Sequence, residues 1–242
     1  MIRALLWDVD GTLLNFKAAE KAAIRTLFAE YGFGDCTDAM LATYAEINDA
    51  YWKKLERGEM EKPQILVRRF EDFFSVIGVD PRLSAAFNKK YQLALGDTIV
   101  FCDDADQIVA ELKGRIPQYG ASNGTLAAQT KKLERSGLDQ LLDGAFISDQ
   151  IGFEKPDARF FIPVCERLEA DVPGIRKEEI LIVGDSLTSD IQGGVNVGIR
   201  TCWYHPEVAA GAAVDETAER PRIDYEIRDL HEIYDILDLT TS

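Results

Sequence analysis

Two short runs constrain this chain more than anything else in it: IRALLWDV at 2–9 and EILIVGD at 179–185. Both are largely apolar without the every-second-residue alternation of a half-exposed strand, and both run into Asp. A strand with no polar face must be covered on both sides, which is the situation of a central strand in a parallel sheet flanked by helices. Weaker runs of the same type occur at 116–122 (IPQYGAS), 144–148 (GAFIS), 199–204 (IRTCWY) and 223–227 (IDYEI). Helical periodicity fills the intervals, at 125–136, at 158–169 behind Asp157, at 188–196, and in a last helix carrying Leu230, Ile233, Tyr234 and Leu237. Asp103 or Asp104 is placed to cap a further helix that ends at Lys113, and Pro163 is expected to kink or interrupt the one it lies in. Alternation of this kind predicts an α/β fold with an open, Rossmann-like parallel sheet.

Between Leu14 and about residue 97 the alternation stops. Four apolar stripes at helical spacing follow one another: Ile24-Leu27-Phe28-Tyr31, then Tyr44-Ile47-Tyr51-Leu55, then Ile65-Leu66-Phe70-Phe73-Phe74-Ile77, and Leu83-Phe87-Tyr91 behind Asp80-Pro81. The expected organisation is a core of residues 1–14 and 98–242 with a four-helix insert over 15–97, hinged near 15–17 and 96–100. The stretch 206–222 has weak pattern and is expected to be surface loop.

Composition narrows the partners. With 42 acidic and 27 basic residues the formal charge is −15, which argues against binding a nucleic-acid polymer through its backbone. Two His and four scattered Cys (36, 102, 165, 202) provide no zinc spacing and little material for a His-dependent triad. Reduced cysteines, no apolar run of membrane-spanning length and no signal-type start lead to the expectation of a cytoplasmic protein without a membrane partner. Oligomeric state is not legible.

In parallel α/β sheets ligands bind beyond the carboxyl ends of the strands. That edge collects Asp8 and Asp10, then Ser122-Asn123-Gly124, then Asp149 with Lys155, then Asp185 with Asp190. Singly, each group has an ordinary explanation: a turn after a strand, a surface lysine, a helix N-cap. Together, four polar clusters at one edge are poorly explained by chance. Converging carboxylates repel one another unless a cation lies between them, and an all-oxygen set without His suits Mg2+. Hydroxyl, amide and ammonium groups beside the metal would hold an anion, and the pair suggests phosphoryl transfer.

LLWDVDGTL, ASNG, the lysine of EKPD and VGDSLTSDIQGG resemble, in chain order, the four motifs of the haloacid dehalogenase-like hydrolase superfamily. The helical insert lies where its members with a type-I cap carry theirs. GDSLTSDIQGGVNVGIRTCWYHP is further similar to the branch of 5′-nucleotidases acting on pyrimidine and noncanonical nucleoside monophosphates. The resemblance implies Asp8 as nucleophile and Asp10 as general acid and base. It implies Mg2+ held by the carboxylates of Asp8 and Asp185 and the carbonyl of Asp10, with Asp190 as a further partner of the metal. Ser122, Lys155 and the amides of Val9 and Asn123 would bind phosphoryl oxygens. Asp10 argues against dehalogenation, because a halide leaving group needs no proton. The implied substrate is a small phosphorylated metabolite, foremost a nucleoside monophosphate. A sugar phosphate or phosphoglycolate is the alternative, a mutase shares both Asp residues, and a noncatalytic binding protein is the remote alternative. Most aromatic residues of the insert belong to its core, with one or two left to stack on a base.

Overall fold

The computed structural model describes residues 1–206 and 220–239. Six parallel strands form one sheet: β1 (Ala4–Trp7), β2 (Gln118–Ser122), β3 (Gly144–Ile147), β4 (Ile180–Gly184), β5 (Arg200–Tyr204) and β6 (Tyr225–Ile227), in the order β3-β2-β1-β4-β5-β6. The direction of strand addition reverses at β1, so the crevice at which such sheets bind ligands opens directly after Trp7. Parity along the strands explains why these runs need no polar face. Leu5, Trp7, Leu181 and Val183 pack on one side with Ile108, Val109 and Leu112 of α5 (Ala105–Leu112). Ala4, Leu6, Ile180 and Ile182 pack on the other with Phe161, Val164 and Leu168 of α9 (Phe161–Asp171).

The remaining core helices are α6 (Leu126–Ser136), α7 (Leu138–Leu141), α8 (Ser148–Ile151), α10 (Gln192–Val197) and α11 (Ile233–Ile236). The cap comprises α1 (Phe16–Tyr31), α2 (Asp38–Glu56), α3 (Lys62–Ile77) and α4 (Ser84–Ala94). Its own core is aromatic, with Phe28, Tyr44, Phe70, Phe73, Phe74, Phe87 and Tyr91 in mutual contact, and Ala128 of α6 inserted from below. The two chain crossings into the cap lie side by side: Leu14 and Phe101 form an antiparallel bridge, Asn15 N–H donates to the Val100 carbonyl (2.8 Å) and Cys102 N–H to that of Leu13 (3.1 Å). Further polar links tie cap to core. Lys62 Nζ, almost fully buried, donates to Ser148 Oγ (2.6 Å) and Asp149 Oδ1 (2.7 Å). Thr188 donates to Glu56 (2.6 Å), and Thr125 to Gln92 (2.9 Å).

Several local expectations are corrected. Pro163 interrupts nothing: a 3-10 turn (Ala158–Phe160) absorbs the start, and Pro163 falls in the first turn of α9, where backbone N–H groups have no helical acceptor. The helix expected at 188–196 opens as a π turn (Leu187–Ile191) before becoming α10. Neither Asp103 nor Asp104 caps α5 through its side chain; the Asp103 carboxylate instead accepts from Tyr204 OH (2.7 Å) and Leu230 N–H (3.2 Å). Of the expected loop at 206–222, residues 207–219 lie outside the described residues.

Candidate active site at the carboxyl edge of the sheet

Asp8 is the first residue past β1 and its N–H donates to the Val183 carbonyl (2.9 Å), which holds it against β4. The chain then turns back within a few residues: Gly11 N–H donates to the Leu14 carbonyl and Leu14 N–H to that of Val9, each at 2.8 Å. Gly11 has φ +102°, and a Cβ there would lie 2.8 Å from Asp185 Cγ. Glycine is thus required twice, for the backbone conformation and for the approach of the Asp185 carboxylate. Gly184 has a similar steric role at the end of β4, where any side chain would collide with Asp190.

Lys155 joins the parts. Its ammonium is buried and donates to Asp8 Oδ1 (2.9 Å), Asp190 Oδ1 (2.6 Å) and the Ala121 carbonyl (2.5 Å). Its backbone is clamped by the Asn123 side chain, which accepts from Lys155 N–H and donates to the Lys155 carbonyl, both at 2.8 Å. Ser122, buried at the end of β2, accepts from Gly124 N–H (3.0 Å), leaving its hydroxyl hydrogen to donate elsewhere. Asp190 also accepts from Ser186 N–H (3.1 Å), and Trp203 Nε1 donates to the Asp185 carbonyl (3.0 Å).

Asp8, Asp185 and Asp190 each place one carboxylate oxygen within 4.8 Å of the others. Burial pushes the Asp8 carboxyl well above the usual carboxylate range; Lys155 pulls it down, while Asp190 and Asp185 push it further up. Asp185 is pushed up to about 7, chiefly by desolvation and then by Asp190, although its side chain opens to the cleft. For Lys155, burial disfavours the charged form, but Asp190 and Asp8 outweigh it and hold the ammonium above its ordinary pKa. One lysine therefore does not satisfy the negative charge gathered here. Asp8 Oδ2 is buried and has no hydrogen-bond partner among the described residues. An orphaned carboxylate oxygen facing two further carboxylates, with hard oxygen donors only, fits Mg2+. Asp8 and Asp185 have oxygens to offer it; those of Asp190 are already engaged by Lys155 and Ser186.

Asp10 stands apart from this cluster. Its Oδ1 accepts from Lys132 Nζ (2.5 Å) and its Oδ2 from Gln129 Nε2 (2.6 Å), both on α6. Sequence reading missed Gln129 and Lys132. Their one signal is a polar pair at i, i+3 on a helix, which cannot be told from a solvated face before the direction of that face is known.

Above these groups, a cavity of about 320 Å³ separates core from cap, with Asp8, Lys155 and Ser122 in its floor and Phe16, Glu20, Asn48 and Trp52 from the cap in its wall. Glu20 is buried and pushed up to about 7, mainly by desolvation.

A family model described as haloacid dehalogenase-like hydrolase matches residues 2–198. The HAD-hydrolase YfnB of Bacillus subtilis is 35% identical over 99% of this chain and 97% of its own length. Its crystal structure, bound to magnesium and described as revealing interdomain movement, superposes with a TM-score of 0.87 over 98% of this chain and 99% of that one. The pyrimidine 5′-nucleotidase PynA of Streptococcus pneumoniae is 36% identical, covering 97% of this chain and 94% of PynA. A glyceraldehyde 3-phosphate phosphatase of Methanopyrus kandleri is 30% identical, covering 83% of each chain. The carboxylate cluster is thus consistent with Mg2+ on two independent grounds, its own donor set and the magnesium-bound relative. No helix among the described residues is long and apolar enough to cross a membrane.

Proposed function

The chain belongs to the haloacid dehalogenase-like hydrolases and is an enzyme of the phosphatase type; from that premise we propose that it hydrolyses the phosphomonoester of a pyrimidine nucleoside monophosphate through an aspartyl phosphate on Asp8. The observation that carries this reading is the convergence of Asp8, Asp185 and Lys155 beneath a cap-covered cavity. An Asp nucleophile is ionised without a separate base once its negative charge is compensated, and covalent capture divides hydrolysis into two easier steps. All three N–H donors of Lys155 are engaged, by Asp8, Asp190 and the Ala121 carbonyl. The Ala121 carbonyl gives way to a phosphoryl oxygen while the bond to Asp8 Oδ1 is kept, so attraction for the incoming phosphate and orientation of the nucleophile come from one ammonium. Ser122 Oγ–H and the amides of Val9 and Asn123 donate to the other phosphoryl oxygens. Asp8, Asp185 and the Asp10 carbonyl would hold Mg2+, with Asp190 fixing Lys155 and the loop beside it. When bound, the metal neutralises phosphate charge that would otherwise repel Asp8.

Asp10 donates a proton to the leaving oxygen and later takes one from the attacking water. Both its oxygens are held by Lys132 and Gln129, so protonation requires one of those bonds to yield as substrate enters. Asp8-Val9-Asp10 carries both functions because the turn at Gly11 sends the two carboxylates to different neighbours.

The likeness to PynA over nearly the whole chain, and the aromatic and polar wall of the cavity, favour a nucleoside monophosphate. The likeness to the Methanopyrus kandleri enzyme supports a sugar-phosphate reading as the alternative. Steady-state kinetics with Mg2+ across nucleoside monophosphates and sugar phosphates separate the two. A higher kcat/KM for the best sugar phosphate than for every nucleoside monophosphate would overturn the nucleotidase reading. Full activity in Asp8→Asn would overturn the mechanism.

A further inference from the structure

The cap has an aromatic core, yet a chain of buried polar side chains runs through it to the cavity. Arg69, on α3 and almost wholly buried, donates from one terminal nitrogen to Asn48 Oδ1 (2.6 Å) and from the other to Asn88 Oδ1 (3.2 Å). Asn48 Nδ2 donates to Glu20 Oε2 (3.0 Å), which also accepts from Tyr91 OH (3.4 Å). Arginine can only donate, so the Asn48 carbonyl must face Arg69 and its NH2 group must face Glu20. The polarity of the chain is therefore set from the back. Arg69 and Glu20 are not in direct contact; Asn48 stands between them, and a buried acid and base kept apart this way are poorly explained as a stabilising ion pair. Both hydrogen bonds at Glu20 land on Oε2, while Oε1 has no protein donor among the described residues. Glu20 and Asn48 both line the cavity that has Asp8 and Lys155 in its floor.

The free positions are thus an acceptor, Glu20 Oε1, beside a donor, the second N–H of Asn48. Resting on the nucleotidase reading, we infer that Glu20 and Asn48 read the base of the substrate by its edge, taking an N–H donor that lies beside a carbonyl acceptor. The imide edge of a uracil-type base, N3–H flanked by carbonyls, has this pattern. An N–H donated into Oε1 also returns to a buried carboxylate a hydrogen bond that desolvation has removed. Phe16 and Trp52 in the same wall supply aromatic surface for the ring faces.

The test pairs a change in the substrate with a change in the protein. Methylation at N3 removes the donor while leaving the ester unchanged, so wild-type kcat/KM should fall about tenfold or more from uridine monophosphate to its N3-methyl derivative. In Glu20→Gln, the amide oxygen takes the bonds from Asn48 and Tyr91, which turns an NH2 group towards the former Oε1 position. The ratio between the two substrates should then collapse to about one, because an acceptor for N3–H no longer exists. A wild-type ratio near one overturns the inference, and so does a large ratio that persists in Glu20→Gln. Ribose 5-phosphate serves as the third substrate. If it is turned over better than both nucleotides, the nucleotidase reading itself has failed and the inference goes with it. The wild-type comparison stands whether or not the variant folds.

Discussion

Replacing Lys155 with Met isolates the charge at the centre of the site. The apolar stem is largely kept, and an ammonium that contacts Asp8 (2.9 Å), Asp190 (2.6 Å) and the Ala121 carbonyl (2.5 Å) is lost. Both carboxylates are buried, so neither recovers its hydration. Removing one partner of a buried ion pair costs about 3–5 kcal/mol, and a lysine shared by two carboxylates belongs at the upper end. For a chain of this size each kcal/mol moves the melting temperature roughly 2–4 °C, so a drop of about 10–20 °C is expected in EDTA near pH 8. The pH dependence has a definite sign. Burial already holds the Asp8 carboxyl above the usual range, with Lys155 as the opposing influence, so deleting Lys155 raises it further. An acid whose pKa is raised by folding destabilises the folded state increasingly as pH climbs from its unfolded value to its folded one. The deficit of Lys155→Met must therefore be smaller at a lower pH, with about pH 5 as the comparison point, because protonation of Asp8 relieves it, and smaller at pH 8 when Mg2+ replaces the missing charge. Thermal melts of both proteins at the two pH values, with EDTA or Mg2+, measure all of this. A loss under about 3 °C, or one indifferent to both pH and Mg2+, would refute the account of Lys155 as charge compensation.

Asp10→Asn should lower kcat by about 10²–10⁴ for an alkyl phosphomonoester and much less for an aryl phosphate, whose leaving group needs little protonation; equal losses would remove Asp10 from the acid role. Gly11→Ala forces a Cβ against Asp185 at φ +102°, strain of order 1–3 kcal/mol, so half-saturating Mg2+ should rise roughly tenfold; an unchanged Mg2+ titration contradicts it. Asp185, pushed up to about 7 by desolvation and then by Asp190, is expected to hold a proton below neutrality in the metal-free protein. Mg2+ binding should tighten as pH rises to about 7 and then level off. Below that pH binding should release protons, detectable by calorimetry in buffers of different ionisation enthalpy. Binding that is flat from about pH 5 to 8 would exclude Asp185 as a ligand.

The sequence by itself determined the sheet edge. Strands covered on both faces must be apolar throughout, so Asp8, Ser122 and Asp185 stand out where each run ends, and chain connectivity brings those ends together. The cap helices were legible for a similar reason, since each apolar stripe follows one period. What only the tertiary structure decided is which side chains face one another across elements. Lys155 before a proline reads as a solvated lysine, yet it lies buried between Asp8 and Asp190. Gln129 and Lys132 read as the polar face of a helix, but α6 sits under the cap and turns them onto Asp10. Glu20, Asn48 and Arg69 come from three separate helices and meet only after those helices pack. Local pattern records how one segment divides between core and solvent. A polar side chain buried against another segment leaves no period of its own, because its partner is supplied by the packing.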